Sequence, residues 1–392
     1  MGFLDRFKGY FSLNAPNTSY LGWRSRKFIY KCLVIPIIVL VILTIFLLSR
    51  RHNRPVDVEF QESTMKCNAP YYNAFVEDGK EKIVAIQQEK LATRLSKCSH
   101  LKGKTALLHD PERQHFTFPM EKEFDMMLEL IKCNVPLAFT RWGDGEHMLL
   151  RGQTVADGTQ AKLIDGWQWT ENRVGVLATN LIESLREPAG LYFYGLPCPM
   201  PWTSTLRDYM TLAKDKPTSR FSYSTLWIGE NYSKIYSFFK SIQDGTSGLT
   251  QKVVLVINQS GRSHLKELYS WASHVVLVPD NCAELFEIPS ARCAWIAYIQ
   301  SMALQNSDTL FMVSAGPLSE ALIYYMYLAN PYNNQYIDFG SSLDEFGKQN
   351  NTRGYSPEPR PNWHPCPYAY GRNMTNEDNY QEEYCLVMKQ VY

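Results

Sequence analysis

KVVLVINQSGRSHLKELYSWASHVVLVP, residues 252–279, decides the fold. Lys252–Asn258 and His274–Pro279 are unbroken Val/Ile/Leu runs, separated by a glycine-bearing polar turn and a segment whose pattern predicts a helix over Ser263–Ala272. A strand with one wet face alternates apolar and polar residues. A strand apolar throughout is buried on both faces, which is the condition of a parallel sheet covered by helices.

The same grammar extends outward. Ser290–Gln305 predicts a helix and Thr309–Ser314 a strand. Ala-Gly-Pro then leads into a helix over Leu318–Ala329, and Tyr336–Phe339 reads as a short closing strand. Upstream, Phe124, Met127, Leu128 and Ile131 fall at i, i+3, i+4 and i+7 of an amphipathic helix over Glu121–Cys133. A strand over Pro136–Trp142 and an apolar run over Leu191–Leu196 follow. Strands alternating with helices predict an α/β, Rossmann-like parallel sheet with helices on both faces, spanning residues 116–346. Open sheets of this kind bind ligands outside the carboxyl ends of their strands. Four polar loops therefore belong to one rim: Gly143–Glu146, Gln259–Ser263, Ala315–Ser319 and Gly340–Glu345.

What precedes the domain bears on its compartment. Residues 32–49 carry no charge and are dominated by Ile, Leu and Val, just long enough for a single transmembrane helix. Arg50 and Arg51 follow in place of a small-residue cleavage site, so the segment reads as an anchor, not a signal peptide. Arg6, Lys8, Arg24, Arg26, Lys27 and Lys31 on the N-terminal side put residues 1–31 in the cytosol and the body in the lumen. The expectation is a single-pass type II protein of the Golgi or ER membrane, held to that membrane by its N-terminal helix. Residues 50–115 read as a lumenal stem, free or docked on the domain, in which Glu81–Lys97 forms a helix with Val84, Leu91 and Leu95 on one stripe. Residues 347–392 read as a Pro/Tyr-rich tail.

Eight cysteines outside the anchor suggest disulfides in an oxidising compartment, and none has the CxxC spacing of a zinc site. Asn231, Asn258, Asn350 and Asn373 open glycosylation sequons, usable where exposed; Asn258 ends a strand. With 40 basic and 39 acidic side chains, the charge balance gives no footprint for nucleic acid.

The first rim loop, within FTRWGDGEHML (139–149), sets Asp144 and Glu146 among glycines. Such a pair can offer two oxygen ligands to one hard cation, Mg2+ or Mn2+, which shares its remaining positions with substrate phosphates and water. The plainer alternative is that both acids cap a turn or helix. Ser260, Gly261 and Arg262 open a helix where backbone N–H groups and a guanidinium can hold an anion, or where an ordinary capped turn ends in a solvated arginine. Gly316 and Pro317 permit the same close approach, with Ser319 or Glu320 as simple caps. Asp338 ends the last strand, with Asp344 and Glu345 beyond it; Asp338 and Asp344 are candidate catalytic bases, one of the three acids is a candidate second metal ligand, or all are solvated loop acids. Trp167, Trp169, Trp202 and Trp227 are stacking candidates against a background in which most tryptophans are packed. His147 reads as packed or exposed, not as a ligand.

Thr140-Arg-Trp-Gly-Asp-Gly-Glu146 resembles the Arg-Phe-Gly-Asp-Gly-Glu signature of the GT-D fold glycosyltransferases. The turn after Asn258, the strand running into Gly316-Pro317, and Tyr336-Ile-Asp-Phe-Gly with a trailing acidic segment continue the likeness over residues 118–346. The resemblance implies that Asp144 and Glu146 serve a divalent cation and nucleotide-sugar binding, with Arg141, Gly143, Gly145, Gly316, Pro317 and Asp338 matching by position. It implies transfer from a nucleotide-sugar, a UDP-sugar first, to a glycan or glycoprotein acceptor. One departure stands out: the pattern closes on Gly-His where this chain has Gly340-Ser341. That difference keeps a non-catalytic lumenal binding module open as an alternative. A sulfotransferase fits poorly, because an acidic loop repels the donor's phosphates unless a cation intervenes.

Overall fold

A computed structural model describes residues 79–97, 120–152, 167, 175–186, 188–197, 199–213, 220–349 and 353–356. The expected anchor, the Asn350 and Asn373 sequons and Trp169 lie outside these residues. No described helix is long and apolar enough to cross a membrane.

Seven described strands form one sheet: β1 (Leu137–Arg141), β2 (Tyr192–Leu196), β3 (Phe221–Tyr223), β4 (Lys252–Asn258), β5 (His274–Val278), β6 (Thr309–Ser314) and β7 (Gln335–Asp338). Their order is β3-β2-β1-β7-β6-β4-β5 and every pairing is parallel. The register sets Val254 opposite both Phe311 and His274, and Ala138 opposite both Tyr192 and Tyr336. The runs that announced β4 and β6 match their strands end to end, and both are buried apart from Lys252. Asn134 and Asp308, each with positive φ, turn the chain into β1 and β6, and the Asn134 amide donates to Asp308 Oδ1 at 3.1 Å.

The α-helices are α1 (Gly79–Lys97), α2 (Met120–Lys132), α3 (Asp144–Leu150), α4 (Gly175–Arg186), α5 (Pro199–Leu212), α6 (Tyr232–Gln243), α7 (Leu265–Leu268), α8 (Cys282–Glu287), α9 (Pro289–Gln305), α10 (Ser319–Ala329) and α11 (Asp344–Gly347). On one face of the sheet α10 covers β1 and β7, flanked by α4 and α9. The other face is aromatic. Trp227 meets Phe124 of α2, Phe139 of β1 and Phe339 beyond β7, with ring centroids 5.1 to 5.8 Å apart. Phe239 of α6 packs edge-on against Phe339 at 4.9 Å. Trp227 is thus core, not a stacking platform at the rim.

Three local readings change. The segment read as a helix over Ser263–Ala272 is a 3-10 turn over Gln259–His264 followed only by the short α7. The Asn258 side chain accepts the Ser260 N–H at 2.8 Å and tightens the turn, and Gly261 sits against Ile257 and the Gly347 carbonyl, where a Cβ would lie 2.8 Å from that oxygen. The stretch between β5 and α9, read without an element, holds α8, whose six residues are too few to show a helical period. The Gly143–Glu146 segment is not a free loop either: helix begins at Asp144.

α1, expected in the stem, is docked on the domain. Its buried stripe is Ile83, Gln87 and Leu91, whereas Val84 is only partly covered. Gln87 donates to the Tyr327 hydroxyl at 2.9 Å and the Pro331 carbonyl at 2.7 Å, and accepts the Leu191 N–H at 2.9 Å. Lys90 and Arg94 continue the row onto Asn333 and Asp308. These partners precede β2, β6 and β7, so α1 lies across the starts of the strands.

Candidate functional site

At the opposite edge, the carboxyl ends of β1, β6 and β7 meet around a cleft of about 180 Å³. Arg141, Gly143, Asp144, Gly145, Glu146, Gly316, Pro317, Asp338 and Asp344 all line it, as does Trp167. Ser260, Gly261 and Arg262 are not among its lining residues. Three of the four rim loops converge, and the turn after β4 does not. Asp280 holds that turn toward β5, accepting from Asn258 at 2.7 Å and from Gln259 at 2.8 Å.

The acid pair stands in the first turn of α3. Glu146 Oε2 accepts the Gly143 N–H at 2.7 Å and Asp144 Oδ1 accepts the Gly145 N–H at 3.1 Å. Capping is therefore real for Glu146, while Asp144 reaches only the N–H of the next residue, and each spends one oxygen on the backbone. Tyr209 of α5 donates to the Gly143 carbonyl at 2.6 Å, which fixes the Trp142-Gly143 corner from the other side. Burial, reinforced by the charges of Glu146 and Glu320, holds that phenol well above its ordinary pKa, so it stays a donor.

Beneath the pair lies a buried charge cluster. Arg141 Nε donates to Asp338 Oδ2 at 3.1 Å, its Nη1 to the Ser224 carbonyl at 3.3 Å, and its backbone N–H to Glu320 Oε1 at 3.4 Å. Burial alone would lower the Arg141 pKa, but Asp338, Tyr355 and Glu146 together outweigh it and hold the guanidinium above its ordinary value. Asp338 is raised by burial despite Arg141 and the Gly340 N–H, which reaches its Oδ1 at 2.9 Å. Burial, with the charges of Asp338 and Asp144 added, pushes Glu146 up to about 7 against the pull of the Gly143 N–H. Glu320 lies fully buried with Oε2 unpartnered, and desolvation followed by the charges of Glu146 and Asp338 drives it well above the carboxylate range. Two buried carboxyls, Asp338 and Glu320, and the half-buried Glu146 thus face one half-buried guanidinium, so the cluster needs protons or a cation to balance it.

The remaining candidates divide. Asp344 is buried and paired with Lys348 at 3.0 Å. Ser319 is a cap, accepting the Ala315 N–H at 3.0 Å. Gly316, at φ +56°, lies against the Trp167 ring, which occupies the place a Cβ would take. His147 packs against Asp208, Nε2 to Oδ2 at 2.8 Å, and Arg151 joins the same carboxylate at 2.5 Å. Ser341, the departure from the resembled signature, lines the cleft and shares a 3.0 Å hydrogen bond with Tyr355. Asn231 and Asn258 are buried, and the Asn231 amide donates to the Leu226 carbonyl at 3.0 Å, so neither sequon is presented to solvent. Glu320 is the residue the sequence did not single out, because an acid in a first helical turn reads as a cap. Among the described residues, no group of three or more His, Cys, Asp or Glu side chains is placed to hold a metal ion. No family model, no curated protein and no solved structure matches this chain.

Proposed function

We propose that the chain is a metal-dependent glycosyltransferase of the GT-D kind, transferring sugar from a nucleotide-sugar, a UDP-sugar first, to a glycan or glycoprotein. The observation that carries the reading is the convergence on one strand-end cleft of an acid pair, a glycine-proline turn and an ion pair between the buried Asp338 and Arg141. Asp144 and Glu146 would hold Mn2+ or Mg2+. Two hard carboxylates are a partial donor set for such a cation, which takes its other oxygens from phosphate and water. The surplus of buried acid in the cluster suits the same occupant. When bound, the cation supplies neutralisation of charge on the departing nucleotide. Arg141 holds Asp338 in place, and Gly316 lets the Trp167 ring pack directly on the backbone at the edge of the cleft. The type II anchor and lumenal setting belong to the same proposal. It is compatible with Cys133 and Cys293 being disulfide-bonded while Cys282 is free and buried.

Calorimetry of the full-length protein in detergent with UDP and GDP, with and without Mn2+, tests the reading. Metal-dependent binding lost in both Asp144→Asn and Glu146→Gln is the expected result; a folded protein that binds neither nucleotide refutes it. A second reading, a non-catalytic lumenal binding module, draws on one observation: Asp338 and Asp344, the two expected bases, are both ion-paired. Hydrolysis or transfer of a UDP-sugar that binds separates the two.

A further inference from the structure

A second cavity, of about 220 Å³, adjoins the first and shares Arg141, Gly143, Asp144, Ser341 and Arg353 with it. The two are lobes of one cleft with that group of residues as the wall between them. Their chemistry differs. The first lobe carries Glu146, Asp338 and Asp344 beyond the shared wall, opposite Lys348. Beyond the wall, the second is lined by Pro197, Thr205, Ser224, Thr225, Ile228 and Tyr355, without a charged side chain.

These residues come from separate elements. Pro197 follows β2, Thr205 stands on α5, Ser224 and Thr225 follow β3, and Tyr355 returns from beyond α11. Tyr355 is braced over the lobe by its hydrogen bond to Ser341 and by its ring, 5.0 Å from that of Tyr232. Burial raises the Tyr355 phenol above its ordinary value, against the pull of Ser341, so it remains a hydroxyl.

We propose that this second lobe is the acceptor subsite and that it binds a neutral sugar ring. The proposal rests on the glycosyltransferase reading. Serine, threonine and tyrosine hydroxyls both donate and accept, which matches the alternating demands of a polyol. Ile228, Pro197 and the Tyr355 ring supply apolar surface for the C–H faces of the sugar. The charge of a uronic acid or phosphosugar meets guanidiniums only at the wall, at Arg353 and at Arg141, which is already paired with Asp338; the six residues beyond it are neutral. The shared wall, with Asp144 and Arg141, is where a ring in the second lobe meets a donor in the first.

The test uses the full-length protein in detergent with UDP and Mn2+ present, and methyl glycosides as probes: neutral hexosides, N-acetylhexosaminides and a hexuronide. Binding is followed by saturation-transfer NMR and titration. At least one neutral glycoside binds; Thr205→Val and Tyr355→Phe each weaken it tenfold or more, and the UDP Kd stays within twofold. Thermal melts confirm that each variant is folded, and the two lie on separate elements, so one suffices if the other fails to fold. The proposal is overturned if a folded variant leaves glycoside binding unchanged, if it weakens UDP instead, or if only the hexuronide binds. Glycoside binding that is lost in Thr205→Val, in a protein that never binds UDP, keeps the sugar subsite and removes the transferase reading. Binding of neither probe removes both.

Discussion

Glu146 has two partners competing for one carboxylate, the Gly143 N–H and any cation in the cleft, and burial adds a third competitor, the proton. With its pKa raised from 4.5 to about 7, the folded state binds this proton more tightly than the unfolded chain between those values. The Glu146 contribution to stability is therefore greatest below pH 4.5 and declines as pH rises toward 7. Cation binding runs the other way, since it requires the ionised form. Mn2+-dependent UDP binding is expected to weaken about tenfold per pH unit below about 7, and titrations at three pH values check it. In Glu146→Gln that slope should vanish with the metal dependence. Gly340 is the second sensitive residue. Its φ is +50°, and a Cβ there would lie 2.0 Å from the Arg141 guanidinium. Gly340→Ala should cost about 1–3 kcal/mol and displace Arg141 from Asp338, seen as a lowered Tm with loss of nucleotide binding. The acids of the rim and Gly316 were legible because few residue types suit their positions. Glu320 was not, because only the packing of α10 against β1 turns a routine helix-start acid into a buried one.

Among the elements, α1 has the clearest consequence for stability. Gln87 satisfies a carbonyl, a hydroxyl and a backbone N–H at once, all buried. Gln87→Leu leaves the Leu191 N–H and the Pro331 carbonyl without this partner, and is expected to cost about 2–3 kcal/mol in urea denaturation. Metal-dependent nucleotide binding, the readout of the proposed function, should not change per folded molecule, because the cleft lies at the other end of the strands. The periodicity of α1 was legible and its docking was one of the options, but the contacts that dock it were not. Its anchor is a glutamine in the middle of the buried stripe, and apolar spacing cannot show that a polar side chain has three partners waiting. The 3-10 turn after β4 escaped for a similar reason: the tightening comes from the Asn258 side chain, not from the apolar pattern.

For the whole molecule, the strongest inference from sequence was that continuous apolar strands alternate with helices, and a parallel sheet followed. Strand order was beyond it. An all-parallel sheet puts every strand-end loop on one rim, but only the order says which of them are neighbours. β4 stands three strands from β1, about 14 Å at the usual spacing, so Ser260–Arg262 falls outside a cleft centred on β1 and β7. The aromatic face ties the two halves of the sheet together through Phe339, which touches both Trp227 and Phe239. Phe339→Ala should cost about 3–5 kcal/mol, measured by thermal denaturation, because Phe339 is fully buried among rings too rigid to refill its space. The docking of α1 also separates two tasks in space: the helix lies across the starts of the strands, whereas the cleft opens where they end. What α1 contributes to holding the sheet together is therefore made without occupying the mouth of the cleft.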